Sequence, residues 1–317
     1  MCRFHLMSRQ TRNFNAAPHL ALLAVQVIFA TWGIPAKIAL RQITPFGLSA
    51  IRVAAAAGAF CVIARLTHNF KSIARKHWPL LVASSLCGIV FNQWLFVTGL
   101  SMTTVINSVL ITTAMPVFTL VVGSMTGIER PSWRRLVGIL TAAAGVIYLI
   151  SPARHDVSAG SRFGDLLILG SAFIYGCYIV VSKPLVETYG ALPTVTWIFI
   201  VATVPTALVG ALSLRHSSLA AIDTQGWEAI IYIVLVPTIL AYYLLTAALK
   251  EVPPSTVAVY IYLQPLIAFV VAPAILGEAF TLRTAIAAAL IFLGVAITTR
   301  RRKRRNRVIS EIEISRP

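Results

Sequence analysis

The sequence predicts an all-α membrane protein of about ten transmembrane helices, organised as two five-helix inverted repeats. Three observations carry this expectation. Of the 317 residues, 58% are hydrophobic and only 12% are charged, where soluble domains carry roughly a quarter charged residues. Ten charge-poor runs, four of them interrupted, follow one another through the chain, each close to the roughly 20 residues that cross the hydrocarbon layer. Sliding the chain against itself by 149 residues superposes Pro116 on Pro265, Glu129 on Glu278, Arg134 on Arg283 and Gly145 on Gly294.

The N-terminal tail, residues 1–19, is expected in the cytoplasm. The first repeat, residues 20–150, holds spans at Leu20–Leu40, Phe46–Ala64, Leu80–Leu100, Thr103–Met125 and Leu136–Ile150. The first of these resembles a signal peptide, because Arg3, Arg9 and Arg12 precede an apolar run. Its counterpart later in the chain argues that it is retained. An external linker, residues 151–163, leads to the second repeat, residues 164–299, with spans at Leu166–Val186, Leu192–Leu214, Ala229–Leu249, Thr256–Leu276 and Ala285–Thr299. The links are short, and a backbone without water must satisfy its own polar groups, so each span is read as a helix. Pro35, Pro116, Pro205, Pro237 and Pro265 interrupt these runs, and the paired positions Pro116 and Pro265 predict bends repeated in both halves, structural or gating in role.

The net charge of +17 invites a nucleic-acid reading, most of all at the basic tail, residues 300–317. Its distribution argues otherwise. With both termini cytoplasmic and ten spans between them, 20 Lys/Arg fall inside, 6 outside, and Arg52 lies within a span. That asymmetry is what orients a multi-pass protein in a bacterial inner membrane, and the tail reads as a topology determinant touching anionic lipid. The four cysteines form no CxxC pair, and Cys61, Cys87 and Cys177 fall inside spans, so neither disulfides nor a metal site is expected.

The first and sixth spans align at a shift of 146, pairing Phe29 with Tyr175 and Lys37 with Lys183. Five spans per half is an odd number. The second half therefore enters the membrane upside down relative to the first, which gives two pseudo-equivalent arrangements around a midplane site.

At Lys37 to Leu40, Pro45 to Arg52, Asn92 to Leu100, Ala114 to Arg130 and the repeat of that block at Gln264 to Glu278, the chain resembles the drug/metabolite transporter superfamily in its EamA-like ten-helix branch. The resemblance covers Leu20 to Thr299, with Phe29 standing where the family usually has Trp before Gly, and Trp32-Gly33 displaced three residues later. It implies that helices one to four and six to nine surround a pathway while five and ten stand outside. It does not identify a substrate; the chain as a whole reads as a secondary or facilitative transporter, an exporter, of small organic metabolites such as amino acids or related solutes, working by alternating access between the inverted repeats and without a cofactor. A solute channel or a non-transporting scaffold are the alternatives.

Polar groups in mid-span are costly in lipid, so they mark the candidate pathway. Thr104, Ser108 and Thr112 form a stripe at helical spacing, with Asn107 beside it. Asn92 and Gln93 point about 100 degrees apart, and of the two Asn92 is expected to line the cavity. Tyr175, Tyr242, Tyr262 and Gln264 are the expected contribution of the second half. Arg52, the one mid-span charge, is expected to be structural or gating, while Lys37 and Lys183 near helix ends are expected to snorkel to water. Ile291 in the tenth span is expected to face lipid.

Every acidic residue, Asp165 included, falls in a loop, a tail or near a span end, and every histidine in a loop or tail. This argues against coupling through a buried carboxylate. With no HExxH pair, GxSxG elbow or nucleotide-binding glycine loop either, an intramembrane enzyme is disfavoured.

Overall fold

A computed structural model describes residues 16–126, 133–150, 159–215, 219–252, 254–265 and 281–299, together with residues 267, 271 and 275. The tail residues 1–15 and 300–317, and the repeated acidic pair Glu129 and Glu278, lie outside the described residues. The protein is an all-α membrane protein, with no strand among the described residues. Among the described residues, seven helical segments are long and apolar enough to cross a membrane: Ala17–Ala39, Pro45–Leu66, Arg75–Met102, Val105–Met125, Ser161–Tyr189, Ala191–Leu214 and Thr224–Glu251. The remaining three expected spans fall on an 18-residue helix at Trp133–Ile150, a shorter helical stretch from Pro254, and an 18-residue helix at Leu282–Thr299.

In chain order the helices are α1 (Ala17–Thr31), α2 (Gly33–Ala39), α3 (Pro45–Leu66), α4 (Trp78–Ser85), α5 (Asn92–Met102), α6 (Val105–Thr112) and α7 (Met115–Met125). They continue with α8 (Trp133–Ile150), α9 (Ala159–Tyr189), α10 (Ala191–Leu214), α11 (Thr224–Ile233), α12 (Ala241–Glu251), α13 (Pro254–Val259) and α14 (Leu282–Thr299). Local chemistry sets several boundaries. Thr44 caps α3 by accepting from the Gly47 amide at 3.2 Å, and Pro45 follows where a missing N–H is harmless. Thr104 caps α6 by accepting from the Asn107 amide at 3.1 Å. Gly190, at φ 88°, turns the chain from α9 into α10 through a region that a side chain disfavours.

Bends fall at corresponding places along the chain. A π turn at Leu86–Phe91 joins α4 to α5, and another at Val234–Leu240 joins α11 to α12, so two 28-residue segments carry the same widened turn. The second contains Pro237. Likewise α6 breaks from α7 just before Pro116, and a 3-10 turn at Tyr260–Tyr262 comes just before Pro265. Lys37 Nζ donates to the carbonyl of Thr103 at the end of α5, while Lys183 Nζ donates to that of Leu249 near the end of α12, at 2.6 Å, each across 66 residues. Free carbonyls at a helix C-terminus attract a cation, and the Lys183 ammonium also pairs with the exposed Glu187 at 3.2 Å.

Packing pairs α3 with α10, α8 with α14, α5 with α9 and α1 with α12. Two apolar clusters result, one around Phe60, Tyr178 and Phe199, the other around Leu48, Leu110 and Ile111. Ile291 belongs to the second cluster and is fully buried, because Gly145 on α8 lets α14 come close: a Cβ added there would meet Ile291 Cγ1 at 2.9 Å. The expectation that Ile291 faces lipid is thus corrected. Side chains such as Val204 (73% exposed) and Leu208 (65% exposed) on α10 present the apolar surface that lipid covers.

Polar clasps close the bundle at both ends of α3. Before it, Gln42 Oε1 accepts from the Asp223 amide at 2.9 Å, and Gln42 Nε2 donates to Asp223 Oδ1 at 2.9 Å. After it, Tyr189 Oη accepts from the Ala74 amide at 3.1 Å and pairs with His77 Nδ1 at 2.7 Å. Asp223 also caps α11 through the Gly226 amide at 2.7 Å. That amide first, and Gln42 second, hold its carboxyl below the ordinary value of 3.8. A depressed carboxylate stabilises the fold above its unfolded-state pKa and loses that contribution as pH falls through the folded value. Asp223→Ala should therefore lower the unfolding temperature of the purified protein near neutral pH. The gap from wild type should stay constant down to about pH 5 and close below about pH 4, followed by thermal denaturation across that range.

Candidate functional site

One cavity, partly open to the outside, is lined by both halves of the chain. Its volume is about 80 Å³, where a single water needs roughly 10–15 Å³, so it has room for several waters or a small solute. Its wall is mainly apolar, with Phe29, Phe96, Val109, Met115, Leu245 and Ile261 among the contributors. Lining residues come from α1, α2, α3, α5, α6, α7, α9, α12 and the stretch from Val257 to Gln264. Among the described residues, none from α8 or α14 contributes. The cavity also touches no residue of α10.

Of the residues picked from sequence, Asn92, Ser108, Thr112, Tyr175, Tyr242 and Gln264 line this cavity. Asn107 and Tyr262 do not. Asn107 lies one residue from Ser108, hence about 100 degrees round the helix, and its Nδ2 reaches Asp165 Oδ2 on α9 at 3.4 Å. Tyr262 packs edge-on against Phe292, with ring centroids 6.5 Å apart. Pro116 and Pro265 are buried beside bends rather than in the wall.

Arg52 stands on the cavity wall, 2% exposed. Its Nη1 donates to Gln93 Oε1 at 2.8 Å and its Nε to Thr238 Oγ1 at 3.0 Å. The guanidinium carbon lies 4.6 Å from the Trp32 ring centroid, and Trp32 is stacked on Phe96. The Arg thus ties α3 to α5, to the π turn before α12 and to the α1–α2 corner. Thr238 accepts this bond because its own proton goes to the Ile233 carbonyl at 2.6 Å, a bond that the π turn makes available.

The cavity's other polar groups divide into donors and acceptors. Ser108 Oγ donates to the Val105 carbonyl at 2.8 Å and Thr112 Oγ1 to the Ser108 carbonyl at 2.7 Å. With their protons committed to backbone, both hydroxyls offer only lone pairs to anything else. Asn92 Nδ2 donates to the Ser171 carbonyl at 3.2 Å, leaving its oxygen as an acceptor. Gln264 Nε2 donates to Gln26 Oε1 at 2.6 Å, coupling α1 to the segment after α13. Tyr242 Oη donates to the Gly88 carbonyl at 3.3 Å, and the buried Tyr175 hydroxyl lies beside that of Tyr242.

Sequence reasoning missed Gln26 and Trp32 as lining groups and passed over Gln93 in favour of Asn92. Both residues of the latter pair face the cavity, Asn92 anchored to α9 and Gln93 to Arg52. The signal for Gln26 was available, since an amide in an otherwise apolar run needs a partner. Asp165, expected near a span end, is buried there and accepts from Thr103 Oγ1 and Asn107 Nδ2. Among the described residues no group of His, Cys, Asp and Glu is placed to hold a metal ion.

Helices long enough to span a bilayer around a mainly apolar chamber with a few convergent polar groups are the architecture of a multi-pass membrane protein of the transporter class. The model of the EamA-like transporter family matches residues 17–151 and 162–300, and the chain belongs to that family, within the drug/metabolite transporter superfamily. It is a membrane transporter, not an enzyme. Among its relatives is an uncharacterized transporter of Archaeoglobus fulgidus, 25% identical over 90% of this chain and 98% of that protein. A "probable amino-acid metabolite efflux pump" of Salmonella typhimurium is 27% identical over 88% of this chain and 93% of its own length. A crystal structure at 17% identity superposes with a TM-score of 0.66, covering 90% of this chain and 96% of the other, and shares the fold.

Proposed function

We propose that this protein exports small zwitterionic metabolites, amino acids or their relatives, by alternating access of the central cavity between two inverted five-helix repeats. The observation that carries the reading is the cavity wall itself. It sets donors at Arg52 against acceptors at Ser108, Thr112 and Asn92, within an apolar chamber holding no other charged side chain among the described residues. An ammonium group meets oxygen lone pairs at one part of such a wall, and aliphatic surface accepts a side chain at another.

The repeat reading is supported by the two family matches along the chain, by the paired π turns and by the two lysine bonds across 66 residues. Helix pairing supports it too: exchanging the halves converts the α1–α12 contact into the α5–α9 contact, and maps the α3–α10 and α8–α14 contacts onto themselves. In that scheme the Gln42–Asp223 and Tyr189–His77 clasps hold opposite ends shut, and the bends before Pro116 and Pro265 are where helices flex. The efflux pump name of two enteric relatives supports the outward direction. The distribution of basic residues supports a bacterial inner membrane with both termini cytoplasmic.

Purified protein in sealed liposomes should show saturable flux of one or more neutral amino acids, accelerated by unlabelled solute on the far side. Sugars and nucleosides form the rest of the panel. Acceleration from the far side marks a carrier; non-saturating flux with unitary currents would make it a channel, and no flux of any solute would leave a scaffold.

A further inference from the structure

We infer that Arg52 is the carboxylate anchor of the transported solute, with the Tyr175 hydroxyl as its second donor, so that the chamber selects monocarboxylates over amides and amines. This rests on the solute-carrier reading above and gives its substrate a defining chemical group. A buried guanidinium with no counter-charge is expensive, and neutral acceptors offset only part of the cost. Among the described residues Arg52 bonds only to the neutral oxygens of Gln93 and Thr238, and no Asp or Glu lines the cavity. Two of its five N–H groups are thereby engaged. Fixed on Trp32 and between two helices, the planar fork is preorganised for a carboxylate, which it binds by charge-assisted hydrogen bonds.

Tyr175 is the second, independent observation. Its hydroxyl is buried in the wall of the same cavity beside the Tyr242 hydroxyl, a neutral neighbour whose own proton goes to the Gly88 carbonyl, so an arriving carboxylate offers the Tyr175 proton a stronger acceptor. One cation balances one negative charge, so a monocarboxylate fits where a phosphate dianion would bring charge that the wall does not match. An amine lacking the carboxylate meets an uncompensated Arg52 and is repelled.

The probes are L-valine, L-valinamide, which replaces the carboxylate by a neutral amide, and isobutylamine, which lacks it. Binding is read as the rise in unfolding temperature of the detergent-purified full chain over a concentration series of each. Wild type should respond to valine at a concentration about tenfold or more below that needed for valinamide, and not to isobutylamine. Arg52→Gln should bring valine and valinamide level. Tyr175→Phe, which keeps the ring and removes only the oxygen, should reduce the valine preference to a few-fold. Equal response of wild type to valine and valinamide would overturn the anchor, as would an Arg52→Gln protein that keeps the preference. Should Arg52→Gln not fold, the wild-type series and Tyr175→Phe decide the question alone. If none of the probes binds but liposomes still carry uncharged solutes, the anchor is rejected and the carrier stands. If no solute is carried at all, the carrier reading itself falls.

Discussion

Gly210→Ala should leave little folded protein in the membrane, and adding Ala50→Gly should bring it back. Without a strong hydrophobic force between helices in lipid, association depends on close van der Waals fit, which small residues permit. Gly210 on α10 is such a point. A Cβ there would sit 2.2 Å from Ala50 Cβ on α3 and 3.1 Å from the Phe46 carbonyl oxygen. Neither neighbour is the flexible end of a long side chain, so only backbone movement relieves the clash. Overpacking by one methyl costs about 1–3 kcal/mol in cores that adjust locally. Here the helices themselves must part, loosening a seam that also carries the Gly47 contact with Leu214 and the Ser213 to Thr44 hydrogen bond of 2.8 Å. Moving the methyl from α3 to α10 through the double substitution keeps one Cβ at the crossing. Yield of monodisperse protein on size exclusion, with its unfolding temperature, should fall sharply for the single variant and recover for the double.

Several features of this architecture were legible because membrane solvation writes them directly into the sequence. Charge-poor runs of spanning length gave the helical segments, and the cost of polar groups in lipid pointed to Ser108, Thr112, Asn92, Tyr175, Tyr242 and Gln264, all of which meet at one cavity. Lys37 and Lys183 each bond a carbonyl 66 residues further on, a destination that hydropathy does not distinguish from a water layer.

What stayed hidden is orientation about each helix axis. Lipid and protein interior are both apolar, so a span carries little sign of which face meets which. Ile291 reads as lipid-facing yet fills the space left by Gly145. Asn107 and Ser108 read as one stripe, but a single residue of rotation sends Asn107 to Asp165 instead. Arg52 could be located but not partnered, since Gln93 and Thr238 lie 41 and 186 residues away and are brought to it by the π turns that precede α5 and α12.

A chamber opened in turn to each side of the membrane admits water from both, and a cysteine at position 108 reports that access. Ser108 is buried, lines the cavity from α6 and gives its proton to the Val105 carbonyl, so Ser108→Cys changes one atom without removing a bridge between helices. The variant is made in a background in which Cys2, Cys61, Cys87 and Cys177 are replaced by Ala or Ser, and reconstituted in sealed liposomes of known orientation. A membrane-impermeant thiol reagent should label Cys at position 108 from either side, and a transported amino acid should protect it. Cys in place of Leu208, on the lipid-facing surface of α10, should stay unlabelled. Contradiction would be a thiol at 108 that is inert to the reagent from both sides, with or without solute, because the polar groups gathered there would then serve only to hold the helices together.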